Sequence, residues 1–120
     1  MLTYVDHIDL KVKDFEGAVS LFRNMGMQIL REMPERGSVE MALPGEHQVV
    51  FEIHKAKPDG FEGIHHIAFK SVEENGEDDV AAIKERCGVA FLTERAVIKH
   101  TGRTVSSFKD SNGLTWQLTD

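Results

Sequence analysis

Apolar and polar residues alternate along "DHIDLKVKD" (6–14), with Ile8, Leu10 and Val12 on one side and His7, Asp9 and Lys11 on the other. Alternation with a period of two predicts a strand with one buried face. The period then changes. In "FEGAVSLFRNMG" (15–26), Phe15, Ala18, Val19 and Phe22 fall on one helical stripe, Asp14 stands where a cap belongs, and Gly26 supplies a stop. Three strand-like runs follow: "QILREM", then "SVEMAL" after the turn "PERG", then "QVVFEIHK" after "PGEH". The predicted order is βαβββ. "KAKPDGFEG" reads as a connecting loop, because Pro58 and Gly60 break both kinds of regular structure.

Beyond the loop the order starts again. "HHIAFK" predicts a strand and "EDDVAAIKERCG" a helix, with Val80, Ile83 and Cys87 at i, i+3 and i+7. Three further strands are predicted in "VAFLTERAVIKH", "RTVSSFKD" and "LTWQLTD", separated by the turns "TG" and "SNG". The chain is thus an α+β single domain of two βαβββ modules in tandem, 1–54 and 64–120, joined by a linker at 55–63. "HIDLKV" matches "HIAFKS" at an offset of 59, and "FEI" matches "WQL" at an offset of 65. His7 corresponds to His66, and Glu52 to Gln117.

Composition narrows the partners. A chain of 120 residues that is 41% hydrophobic sustains one core, burying roughly two thirds of the surface its unfolded form exposes. The formal charge of −6 disfavours a nucleic-acid or anionic-membrane binder, since those need clustered Lys and Arg. No apolar run reaches membrane-spanning length. Small molecules are the expected partners. The single cysteine excludes an intrachain disulfide, and the N-terminal residues lack the pattern of a secretion signal, so a cytoplasmic location is expected.

Strand parity decides what can share a site. Adjacent side chains point to opposite faces, so of the pair His65 and His66 only His66 has the parity of His7 relative to the apolar faces. His65 is expected to pack or hydrogen-bond on the opposite side. Val49, Phe51 and Ile53 take the helix side, leaving Glu52 and His54 on the polar face; Trp116 and Leu118 do the same for Gln117. His7, Glu52, His66 and Gln117 thus occupy symmetry-matched positions on the face away from the helices. Two imidazoles with oxygen ligands suit zinc, nickel, cobalt, manganese or iron.

These segments, "DHIDLKVKD", "GIHHIAFK" and "GRTVSSFKDSNGLTWQL", resemble the vicinal oxygen chelate superfamily. It includes glyoxalase I, methylmalonyl-CoA epimerase, extradiol dioxygenases and bleomycin-resistance proteins. The resemblance covers nearly the whole chain. It implies a curved, cavity-enclosing mixed sheet with helices on its outer face, and one divalent metal ion held by His7, Glu52, His66 and Gln117. It further implies a homodimer that covers sheet edges. Gln117 departs from the commoner glutamate; an amide oxygen can ligate, but it cannot act as a general base.

Glu40 and Glu52 are the carboxylates expected to serve catalysis. In "GSVEMALP", Val39, Met41 and Leu43 share one parity and leave Glu40 on the side of the ligands, where epimerase-like relatives carry a base. Asp9 is the reserve candidate, and His54 is expected to support the ligands rather than join them. Where glyoxalase I enzymes carry glutathione-binding residues, this chain has Lys11, Ala56 and Glu62. That moves the resemblance toward the epimerases. The reading is a divalent-metal-dependent isomerase or lyase of the glyoxalase/epimerase type, abstracting a proton α to a carbonyl and stabilising an enediolate. The alternative is a metal-free binding protein that sequesters a small molecule or antibiotic; a two-histidine, one-carboxylate oxygenase ranks third.

Other residues carry plainer expectations. Cys87 is expected to be a small buried hydrophobe. The run "EENGEDD" (73–79) reads as a solvated helix entry whose carboxylates suit the helix dipole. His47 and His100 adjoin turns, and Met25, Met27, Met33 and Met41 fill core gaps or line a pocket.

Overall fold

In the computed structural model, which describes residues 1–72 and 76–120, the alternating and helical segments take the forms their periods dictate. The order is β1 (Leu2–Val12), α1 (Phe15–Asn24), β2 (Gln28–Met33), a 3-10 turn (Pro34–Arg36), β3 (Ser38–Ala42) and β4 (Val50–Lys55). It continues with β5 (Gly63–Ser71), α2 (Gly76–Cys87), β6 (Phe91–Val97), β7 (Thr104–Lys109) and β8 (Thr115–Thr119). Two βαβββ modules make an α+β chain. Contacts group the residues into two units, Asp6–His65 and Met1–Val5 with His66–Asp120.

In the first unit the strands lie in the order β2-β3-β4-β1, with β1 parallel to β4 and the other neighbours antiparallel. Helix α1 covers one face. Its stripe of Phe15, Ala18, Val19 and Phe22 packs on a core of Met27, Val39, Met41 and Ile53, and Phe22 meets Phe51 edge-on at 5.2 Å between ring centres. Asp14 caps the helix by accepting from the Gly17 backbone N–H at 3.0 Å. A Cβ on residue 17 would lie 2.2 Å from that carboxylate, so glycine lets the cap close. At the sharp turn into β3, Gly37 has φ +61°, a conformation that favours glycine.

In the second unit the order is β5-β8-β7-β6, with β5 parallel to β8. Val80 and Ile83 of α2 pack on Leu118, with Leu2, Phe69, Phe91 and Phe108 around them. The first strand starts at Leu2, earlier than its alternation indicates, because residues 1–5 belong to this unit. Thr3 Oγ1 donates to the Lys70 carbonyl at 3.0 Å, and Leu2 enters the core.

Three expectations about single residues are corrected. Cys87 is exposed: burial along α2 ends at Ile83, and Lys84 to Cys87 all face solvent. Asp79 is buried rather than solvated, since it lies one turn before Ile83 on the inward stripe; residues 73–75 of that acidic run lie outside the described residues. Met25 is 59% exposed at the end of α1, whereas Met27, Met33 and Met41 are buried. Among the described residues no helix is long and apolar enough to cross a membrane.

Candidate functional site

The face of the first unit's strands opposite α1 is polar, and the strand register explains its composition. Glu40 on β3 pairs with Glu52 on β4, and Glu52 pairs with Asp9 on β1. With strands about 4.8 Å apart, three carboxylates stand in one row. His7 and Lys11 flank Asp9 along β1, and His54 follows Glu52 along β4. The residues between them, Leu10, Ile53, Val39 and Met41, turn to the helix side. The alternation that builds the core therefore also builds this polar surface.

His7 is 2% exposed. Its Nδ1 lies 2.8 Å from Asp6 Oδ2, and its Nε2 lies 3.9 Å from Glu52 Oε2. A carboxylate on Nδ1 fixes the ring and leaves Nε2 as a ligand atom, as in many metal-binding histidines. Two donors bound to one ion at about 2.1 Å stand roughly 3–3.5 Å apart. The spacing is too long for a hydrogen bond and close to that of neighbouring ligands. By donor chemistry this half of the expected ligand set fits a divalent ion.

His54 and Asp9 form a second close pair, Nε2 to Oδ2 at 2.8 Å, and His54 Nε2 is 3.8 Å from Glu52 Oε2. Lys11 Nζ reaches Asp9 Oδ1 at 3.1 Å. Hydrogen bonding to Asp9 and then to Glu52 raises the His54 pKa above its ordinary value of 6.5, with burial opposing. Because the folded value is the higher, this stabilisation is complete below pH 6.5 and fades as pH rises through the raised value. Glu40, 4% exposed, has Arg31 Nε at 3.8 Å. Asp9, held in reserve on sequence grounds, is central to this face, and His54 stands among its carboxylates.

His65 departs from expectation. Its ring nitrogen comes within 4.8 Å of an Asp9 carboxylate oxygen, although parity assigns it to the other face. The residue stands near the start of β5 and is exposed, where packing does not hold the ring to one side; Phe61 meets it edge-on at 6.0 Å.

In the second unit, His66 and Gln117 share the face away from α2. The register pairs Ala68 with Gln117, so His66 stands diagonally to Gln117 as His7 does to Glu52. The repeat is exact in position and altered in chemistry. Where the first unit has Asp9, Glu52 and Glu40, the second has Ala68, Gln117 and Ser107. Lys11 makes the contact with Asp9 described above, and Glu62 Oε2 accepts from the Lys13 backbone N–H at 2.9 Å. Asp6 was not legible as a partner of His7, because a neighbour in a strand points away by parity; the sequence signal is only a carboxylate beside the histidine.

Comparison with known proteins decides the family. The model of the Glyoxalase/Bleomycin resistance protein/Dioxygenase superfamily matches residues 4–118. The chain belongs to this superfamily. No curated protein matches it. Among solved structures, the superfamily member is similar to a variant of Streptomyces coelicolor methylmalonyl-CoA epimerase in complex with 2-nitronate-propionyl-CoA. That likeness has a TM-score of 0.72 at 22% identity, covering 99% of this chain and 97% of that one. A hypothetical protein from Bacillus halodurans gives 0.70 at 19% identity, over 96% and 91% of the two chains. Methylmalonyl-CoA epimerase from Mycobacterium tuberculosis gives 0.69 at 19%, over 98% and 87%. These likenesses establish the fold of the superfamily chain.

Proposed function

We propose that this chain is a divalent-metal-dependent isomerase of the glyoxalase/epimerase type, acting on a small molecule with a proton α to a carbonyl. One observation carries the reading: the buried His7, with Nδ1 on Asp6 and Nε2 3.9 Å from the Glu52 carboxylate. On the superfamily pattern, His7 and Glu52 from one repeat and His66 and Gln117 from the other hold the ion. When bound, a divalent ion supplies electrophilic stabilisation of negative charge on a carbonyl or enediolate oxygen. Zinc, nickel, cobalt, manganese and iron all suit two imidazoles with two oxygens.

The remaining chemistry belongs to the chain. Glu40 takes the α-proton and Arg31 steadies its carboxylate, while Asp9, bridged between Lys11 and His54, braces the floor beside Glu52. General-base transfer of this kind contributes about 10²–10⁴-fold. Solved relatives that bind methylmalonyl-CoA and 2-nitronate-propionyl-CoA support a carbonyl substrate with an acidic α-hydrogen. A homodimer fits the edge strands β2 and β6, each of which stands last in the strand order of its own unit.

The test is α-proton exchange into deuterated water, followed by proton NMR on metal-loaded and metal-stripped protein. Methylmalonyl-CoA and a 2-oxoaldehyde thiohemiacetal are the probes. Exchange that requires the ion and falls at least 100-fold in Glu40→Gln supports the proposal. Absence of exchange with both probes refutes it and leaves the binding-protein alternative, which the amide of Gln117 favours.

A further inference from the structure

Glu52 stands between two imidazoles of its own unit. Its register partner is Asp9 on β1; His7 precedes Asp9 along β1 and His54 follows Glu52 along β4, so the rings approach this pair from opposite ends. Glu52 Oε2 lies 3.9 Å from His7 Nε2 and 3.8 Å from His54 Nε2. Only the His7 side belongs to the expected ligand set. On the His54 side a different set of donors converges: ligand atoms of Asp9, Glu52 and His54 lie within 4.8 Å of one another, all inside the unit Asp6–His65. Asp9 divides its oxygens, Oδ1 toward Lys11 Nζ at 3.1 Å and Oδ2 toward His54 Nε2 at 2.8 Å. The oxygen that faces the imidazole is thus not the one the lysine holds. Across the register from His54, on the same face, is Ser38. It is 3% exposed, and its buried Oγ has no hydrogen-bond partner among the described residues. Buried hydroxyls are ordinarily bonded, and this one adds an oxygen beside the His54 donors.

We infer that Asp9, Glu52 and His54 form a second divalent-cation site, which shares the Glu52 carboxylate with the ion of the proposed function. The inference rests on that reading for the first ion, whereas Asp9 and His54 serve the second alone. An imidazole with two carboxylates suits manganese, iron or zinc. A carboxylate shared between ions fits a two-metal centre, in which the ions stand about 3.5–4 Å apart. On binding, the ion replaces the proton between His54 Nε2 and Asp9 Oδ2, and that proton passes to solvent. Lys11 keeps Oδ1. The second site is the weaker one. Around Glu52, the carboxylates of Asp6, Asp9, Glu40 and Glu52 oppose the cations Lys11 and Arg31, so the first divalent ion already neutralises the formal charge of the face. The second ion is therefore bound while free metal is present and lost on desalting. It adds positive charge beside the first and gives an anionic oxygen of the substrate a further contact.

The experiment uses the full chain, stripped of metal and brought to equilibrium by dialysis against manganese(II), beside His54→Ala, Asp9→Asn and His7→Ala/His66→Ala, each checked for folding by circular dichroism. The wild type should take up about two ions per chain, the second at least ten-fold more weakly than the first. Its frozen solution should give the electron paramagnetic resonance spectrum of coupled rather than isolated ions. His54→Ala and Asp9→Asn should each weaken uptake of the second ion at least ten-fold and leave the first bound. Saturation at one ion that His7→Ala/His66→Ala removes, or a second uptake unchanged in both His54→Ala and Asp9→Asn, overturns this inference and leaves the first site standing. A single ion that His54→Ala abolishes and His7→Ala/His66→Ala keeps overturns it and counts against the ligand set of the proposed function. No uptake by the wild type counts against both.

Discussion

Replacing Asp6 by Asn removes a negative charge 2.8 Å from His7 Nδ1 and leaves every expected ligand in place. If the carboxylate sets the imidazole so that Nε2 faces Glu52, its loss frees the ring to turn and lowers the basicity of Nε2. Partners of this type are worth about 10- to 100-fold in metal affinity, or about 1.4–2.8 kcal/mol. A hydrogen bond involving a charged group, about 1.5–3 kcal/mol, is of the same size, so one contact accounts for the whole effect. The Asp6 side chain is 19% exposed and Asn keeps an acceptor oxygen, so folding stability should change by less than about 1 kcal/mol. The assay is competition for zinc against a chromophoric chelator, with urea unfolding of the metal-free protein alongside. A dissociation constant raised 10- to 100-fold with a nearly unmoved urea midpoint is expected. Affinity within two-fold of the wild type would refute the role assigned to Asp6.

Two further outcomes test the folded frame. Ile53 is fully buried in the first core, and Ile53→Ala should cost about 2–5 kcal/mol in urea unfolding, while Leu92→Ala, at 68% exposure, should stay within about 0.5 kcal/mol. Asp110 accepts from the Trp116 indole and the backbone N–H groups of Leu114 and Asn112, which hold its carboxyl below the usual value of 3.8. Its stabilisation is therefore present above the ordinary pKa and lost as pH falls through the lowered one. Acid titration followed by Trp116 fluorescence should show a transition below pH 3.8 that Asp110→Asn removes; an unchanged profile would contradict it.

The sequence was most informative where one period served two purposes. Ile8, Leu10 and Val12 defined a buried face, and the same alternation set His7 and Asp9 on the other. The offset between "HIDLKV" and "HIAFKS" then carried the assignment into the second repeat. Non-local pairing was not legible. That Asp9 stands opposite Glu52 depends on the parallel register of β1 with β4, and strands separated by a helix and two further strands carry no local mark of register. The approach of His54 to Asp9 follows from it. Residues 1–5 escaped for a similar reason, since their contacts lie beyond residue 65. Cys87 satisfied the helical spacing, but spacing does not say where the layer beneath a helix ends.

His7, Glu52, His66 and Gln117 are proposed to hold a divalent ion, and elemental analysis tests this most directly. The untagged chain and a His7→Ala/His66→Ala variant are stripped with chelator, reloaded with each candidate metal, desalted and measured. About one ion per chain in the wild type and none in the variant, with both proteins folded by circular dichroism, is the predicted result. No retained ion in the wild type, or equal retention by both, would contradict the metal-centred account.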